Sequence, residues 1–240
     1  MFKCREAHPM NIVEAATQGV GIYSIPEAAR YARVHVNTLR HWFSHPSADR
    51  HALYKSEVDA EDLERISFLD FVEVLAVRAL RVDYGISLQR IREALREAKE
   101  RYNIQHLFAR KEHTTVLIEK DLHILFKDDP RSPVQITGPL KGQKSFRECI
   151  EVYMRDLDFD EKGIAKIYKA YGFHGQDIVL NPKVHFGEPI LRSSGYTAHT
   201  LYRAAVTEGS IDRAARLYAV PPEAVEAAYR YWNAELGLAA

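Results

Sequence analysis

Cysteine is scarce in this chain. Only Cys4 and Cys149 occur in 240 residues, far apart and without metal-ligand spacing. That excludes a disulfide framework and a cysteine-based zinc site, and it suits a reducing compartment. Net charge is missing as well, because 33 basic residues balance 33 acidic ones. Any affinity for nucleic acid must therefore come from a local patch. No apolar run approaches the roughly 18 residues of a membrane span. Glu6, His8, Pro9 and Asn11 interrupt the N-terminus where a signal peptide needs an apolar stretch. Low-complexity segments are absent. The expectation is a soluble cytoplasmic protein with room for one or two domains.

Signatures of catalysis are equally thin. Asp156, Asp158, Asp160 and Glu161 form the densest carboxylate group, but Arg155 and Lys162 flank it. It reads as a solvated helix boundary rather than a Mg²⁺ site. Lys141-Gly142-Gln143-Lys144 lacks the glycine spacing of a phosphate-binding loop. His35, His41, His45 and His51 match no closed metal site. The reading is a protein without catalytic activity, cofactor or metal.

What the chain does contain is one pattern twice. Ser24-Ile25-Pro26-Glu27-Ala28-Ala29-Arg30 leads to Val34 and Leu39, and Ser210-Ile211-Asp212-Arg213-Ala214-Ala215-Arg216 leads to Val220 and Val225. The offset is 186 positions throughout. A capping serine, small alanines where a second helix must cross closely, and a turn before that second helix describe a helix-turn-helix. In the first copy Glu27 completes a capping box and Pro26 occupies the first turn. Its helices are predicted over Ile25 to about Ala32 and Val36 to Phe43.

The second helices differ in chemistry. The first carries Asn37, Thr38, Arg40 and His41, which suit phosphates and base edges in a major groove, with Leu39 and Trp42 on the core side. Ser24 at the helix start and Arg50, His51 and Lys55 in a short β wing over 47–55 complete the candidate DNA-binding set. The second copy carries Glu223, Ala224, Glu226 and Ala227 instead, after Pro221 and Pro222. Negative charge and a missing amide at that place disfavour DNA. Tyr202, Arg203, Arg213, Arg216, Tyr229, Arg230 and Trp232 make this end rich in tyrosine and arginine, as protein–protein contact surfaces are.

Between the copies, a helix is predicted from about Asp59 to Val82, ended by Gly85, and another is capped by Ser87. Residues 115–119 and 123–126 read as strands, and a loop containing Pro130 and Pro133 follows. Residues 134–136 are a candidate third strand, and helical character returns over 146–157. The expected class is mainly α with a small β component. It comprises an arm (1–20), a winged helix-turn-helix head (21–112), a β-hairpin and helical connector (113–180) and a small three-helix domain (181–240).

Ser24 to Phe43, Tyr54 and Gly85-Ile86-Ser87-Leu88 together resemble the MerR-type winged helix-turn-helix. His41 stands where that family usually has tyrosine, and no long heptad helix follows residue 102. Asn181 to Ile190, Gly195-Tyr196-Thr197 and the unit from Ser210 to Trp232 resemble a small helical domain of VapB-type antitoxins. The combination is similar to one branch of those antitoxins along nearly the whole chain. That resemblance implies a type II antitoxin that binds and silences a PIN-like ribonuclease toxin encoded by an adjacent gene and represses their shared promoter. A homodimer is expected, since paired heads read paired half-sites. Two other readings stay open: a MerR-like regulator whose β region holds a small ligand, and a structural adaptor that binds no DNA.

Overall fold

A computed structural model describes residues 21–43, 65–82, 85–111, 113–118, 121–126, 129–135 and 155–235. Residues 1–20 and 44–64, and with them Arg50, His51, Lys55, Tyr54 and the expected wing and arm, lie outside the described residues, as do Cys4 and Cys149. The described residues are mainly helical with antiparallel strands.

The head begins with β1 (Tyr23–Ser24), followed by helices α1 (Ile25–Ala32) and α2 (Val36–Phe43). Strand β2 (Arg65–Ile66) pairs antiparallel with β1. Helices α3 (Phe68–Val82) and α4 (Leu88–Tyr102) complete it. The helix expected from Asp59 therefore begins at Phe68. Residues 65–66 are claimed by β1, and Ser67 starts the helix instead. Its Oγ accepts from Asp70 N at 3.0 Å, while its own N–H donates to Asp70 Oδ2 at 3.0 Å. Such a reciprocal pair satisfies two donors that the first turn leaves open. At the other end Gly85, at φ +66°, lets Ile86 N–H reach the Leu80 carbonyl at 2.9 Å.

Beyond α4, β3 (His113–Ile118), β4 (Asp121–Phe126) and β5 (Asp129–Gln135) form an antiparallel sheet. Pro130 and Pro133, expected in a loop, lie within β5. They are tolerated because β5, paired only with β4 among the described residues, is an edge strand there. A second antiparallel sheet follows in the order β6 (Leu157–Phe159), β7 (Ala165–Phe173), β8 (Gln176–Leu180), β9 (Pro189–Leu191). Leu157, expected as the end of a helix, starts this sheet, and residues 146–154 lie outside the described residues. The residue 180/181 boundary falls between two hydrogen-bonded strands of one sheet, since Leu180 pairs with Pro189. Helices α5 (Ala198–Glu208), α6 (Ile211–Tyr218) and α7 (Pro222–Arg230) pack on one another, and α7 also packs on β7 and β8.

Two hydrophobic cores result. The first joins α1–α4 to Leu157, Ala165 and Leu180 of the second sheet, and the second joins Ile178 and Leu191 to α5–α7. Leu39, Phe68, Phe71 and Ile91 are wholly buried in the first, each contributing about 1.5–3 kcal/mol of transfer free energy. Glu73 is buried in the middle of α3, where its Oε1 accepts from Phe108 N at 2.6 Å and Ala109 N at 3.2 Å. A carboxylate in an apolar stripe is retained here because it satisfies buried amides of the turn beneath it.

The two units are joined through Tyr23. Its ring lies 5.1 Å from Phe71 and 6.1 Å from Tyr31, and its hydroxyl donates to the Gly187 carbonyl at 3.0 Å. Burial, then the neighbouring Tyr31, Tyr231 and Glu27, push its pKa well above the ordinary phenol value, so the donor proton stays in place. His185, Phe186 and Gly187 all adopt left-handed backbone, at φ +46°, +51° and +80°. A Cβ at Gly187 would overlap the Tyr23 hydroxyl, so only glycine permits this approach.

Candidate functional site

The first helix pair is built as its sequence requires. Ser24 Oγ accepts from Glu27 N at 3.4 Å, and Ser24 N donates to Glu27 Oε2 at 2.8 Å. The Ser24 hydroxyl also donates to Glu27 Oε2 at 2.7 Å, so it serves the helix start. Arg33 takes left-handed backbone at φ +55°, and Val34 N–H reaches the Ala29 carbonyl at 2.9 Å. His35 Nδ1 then accepts from Asn37 N at 3.2 Å and caps α2. This small buried corner is made possible by Ala28, Ala29 and Ala32, all fully buried.

On α2, Leu39 and Trp42 point into the core, and Asn37, Thr38, Arg40 and His41 are exposed. The four polar residues singled out in the sequence thus share the outer side of one short helix. Asn and Arg offer bidentate hydrogen bonding to base edges, and Thr and His supply phosphate donors.

The second pair repeats the backbone. Ser210 Oγ accepts from Arg213 N at 3.4 Å, Ala219 is left-handed at φ +52°, and Val220 N–H reaches the Ala215 carbonyl at 3.0 Å. Its side-chain environment differs. Ala224 and Ala227, which occupy the positions of Thr38 and His41, are fully buried, and α7 packs against β7, β8 and α5. Glu226, at the position of Arg40, accepts both Arg230 Nε at 2.9 Å and the Arg230 terminal nitrogen at 2.7 Å. The positions of Thr38 and His41 are thus buried in the tail, within the core that α5–α7 share with Ile178 and Leu191.

The residues expected to meet a partner separate into two sets. Tyr202 lies 5.8 Å from Tyr229 and 6.1 Å from Trp232, so these three form an aromatic row on the C-terminal unit. Trp232 also lies 4.7 Å from His199, and the Arg30 guanidinium of the head lies 5.4 Å from its ring centre. Its place is between the two units. Arg230 is occupied by Glu226 and by the Phe173 ring at 4.4 Å. Arg203, Arg213 and Arg216 are exposed. None of these three has a side-chain partner among the described residues.

The acidic group at 156–161 is structural rather than a helix boundary. Asp158 pairs with Arg192 at 3.0 Å, and Asp160 Oδ1 accepts from Lys162 N and Ile164 N in the turn between β6 and β7. Burial raises the Asp156 pKa, with Lys169 and Arg155 pulling it back down. Among the described residues no group of three His, Cys, Asp or Glu side chains gathers to hold a metal, and no helix is long and apolar enough to cross a membrane.

Sequence reasoning missed a cleft of about 460 Å³ between the units, with Glu27, Arg30 and Tyr31 on the head side and Glu188, His199 and Trp232 opposite. No local signal announces it, because its walls come together only when the head docks on the second sheet.

No protein-family model matches the chain. It is 24% identical over 192 residues to a Mycobacterium tuberculosis protein named putative antitoxin VapB45, covering 73% of this chain and 79% of that one. The crystal structure of Rv2018 from Mycobacterium tuberculosis superposes with a TM-score of 0.58 at 20% identity, covering 87% of this chain and 97% of that chain. The fold described above is therefore one already seen in a crystal, and among curated proteins the chain is similar to one named as an antitoxin.

Proposed function

We propose that this chain is an antitoxin of a type II toxin–antitoxin pair. It binds and silences a PIN-like ribonuclease toxin through its C-terminal half and represses its own operon through α2. The observation that carries the antitoxin reading is the likeness to putative antitoxin VapB45 along most of both chains. The DNA reading is supported by Asn37, Thr38, Arg40 and His41 exposed together on α2 after a tightly capped turn. In this reading the head is a MerR-like winged helix-turn-helix and two copies associate to read paired half-sites. The toxin meets the outward arginines Arg203, Arg213 and Arg216 and the Tyr202–Tyr229 edge. The protein itself performs no catalysis.

The test is co-expression of the tagged chain with the product of the adjacent reading frame, followed by light scattering of what elutes. A stable mixed complex, with growth arrest when the neighbour is expressed alone, is the expected result. A lone homodimer beside a harmless neighbour would overturn the toxin reading and leave a regulator that answers to a small ligand.

A further inference from the structure

The two helix pairs differ in a second place, the outer face of their first helix. On α1 that face is Glu27, Arg30 and Tyr31, which line the cleft opposite Glu188, His199 and Trp232. Tyr31 packs against both hydrophobic cores, and the Arg30 guanidinium lies over the Trp232 ring. The first copy of the motif thus uses this face to dock the head on the tail. At the offset of 186 positions, the same three places on α6 hold Arg213, Arg216 and Leu217. The backbone that presents them is the same, with a capping serine, two buried alanines and a left-handed turn residue. The surroundings are not. Arg213, Arg216 and Leu217 are all exposed, Leu217 by 65%.

Arg213 lies one helical turn before both Arg216 and Leu217, so the three side chains form one compact patch. Leu217 leaves most of its side chain in water, whereas Tyr31 at the matching place is sheltered by the tail. Charge differs too. The α1 face carries one charge of each sign, and Arg213 in place of Glu27 makes the α6 patch doubly positive. Asp212, at the place of Pro26, belongs to the first turn of the helix. A surface that fits this patch offers an apolar recess with carboxylates at its rim. We propose that the Arg213–Arg216–Leu217 face of α6 is the place where the toxin docks, with Leu217 as the apolar anchor. This role rests on the antitoxin reading and narrows it to one helix face. The motif then docks by the same face twice, inside the molecule in the head and between molecules in the tail.

The experiment is isothermal titration of the full-length chain with the purified product of the adjacent reading frame, with light scattering of each chain alone. Leu217→Glu and Arg216→Glu should each weaken binding about tenfold or more, as for loss of a contact at the centre of an interface. Leu217→Met, which keeps the volume and the apolar surface, should bind as the unaltered chain does. So should Val82→Glu, a control on the head at a side chain 70% exposed. A Leu217→Glu chain that binds with unchanged affinity would overturn the proposal and leave the toxin reading in place. If that chain also turned from dimer to monomer, the face would be a contact between copies instead. An equal loss from Val82→Glu would likewise overturn it. No complex with the unaltered chain would overturn the toxin reading and this role together. Should Leu217→Glu fail to fold in a thermal melt, Arg216→Glu, altered at an exposed charge, gives the answer.

Discussion

The helix pairs α1–α2 and α6–α7 have the same backbone and opposite surroundings. Both start at a capping serine, both turn through a left-handed residue, and both close the turn with a valine N–H on a buried alanine carbonyl. In the head the second helix shows Asn37, Thr38, Arg40 and His41 to the outside. In the tail the equivalent helix buries Ala224 and Ala227 in the core shared by α5–α7 and the sheet and ties Glu226 to Arg230. A supersecondary motif thus fixes how two helices cross, and the side chains on the second helix decide whether its outer face stays exposed or becomes a packing surface. One motif serves two ends of one molecule.

The comparison can be broken most severely at the joint between the units. Gly187→Ala places a Cβ against the Tyr23 hydroxyl at a positive φ and should cost about 3 kcal/mol in urea denaturation. An unchanged midpoint would mean that the head does not depend on its dock. Next, Ala29→Leu and Ala215→Leu enlarge the matching corners of the two pairs. Each should lose about 2.5 kcal/mol by the same measurement, whereas a loss in only one copy would deny that the corners are equivalent.

The proposed DNA contact would separate the pairs further. Arg40→Ala should weaken binding to the protein's own promoter fragment by about 2 kcal/mol in fluorescence anisotropy, while Glu226→Ala at the matching position should leave it unchanged. Equal effects would erase the functional difference between the helices. The smallest contrast lies in the caps. Ser24→Ala removes a reciprocal box and should cost about 1 kcal/mol of stability, against about 0.5 kcal/mol for Ser210→Ala, whose partner Arg213 returns no bond. Thermal melts of both variants would show the order.

Much of the helical part was legible because its determinants are local. Ser24 with Glu27, the alanines at 28 and 29, and Gly85 before Ser87 lie within a few residues of what they control. The start of α3 was misread since Arg65 and Ile66 pair with a strand more than 40 residues earlier. Strand β7 escaped notice because Lys166, Lys169 and Gly172 break the alternation that marks a half-buried strand. The prolines of β5 signal a loop by local rule and are admitted only because that strand lies at a sheet edge.

The sequence by itself determined the two helix pairs, their caps and their turns, and the contrast between a polar and an alanine-rich second helix. These follow from short-range hydrogen bonding and side-chain size. Only the tertiary structure decided that α7 is buried on a sheet, that Trp232 faces the head, and that Arg30, Tyr31 and Glu188 share one cleft. Those outcomes depend on residues some 160 to 200 positions apart meeting through Tyr23 and Gly187, and no local pattern carries the energy of a contact made across that distance.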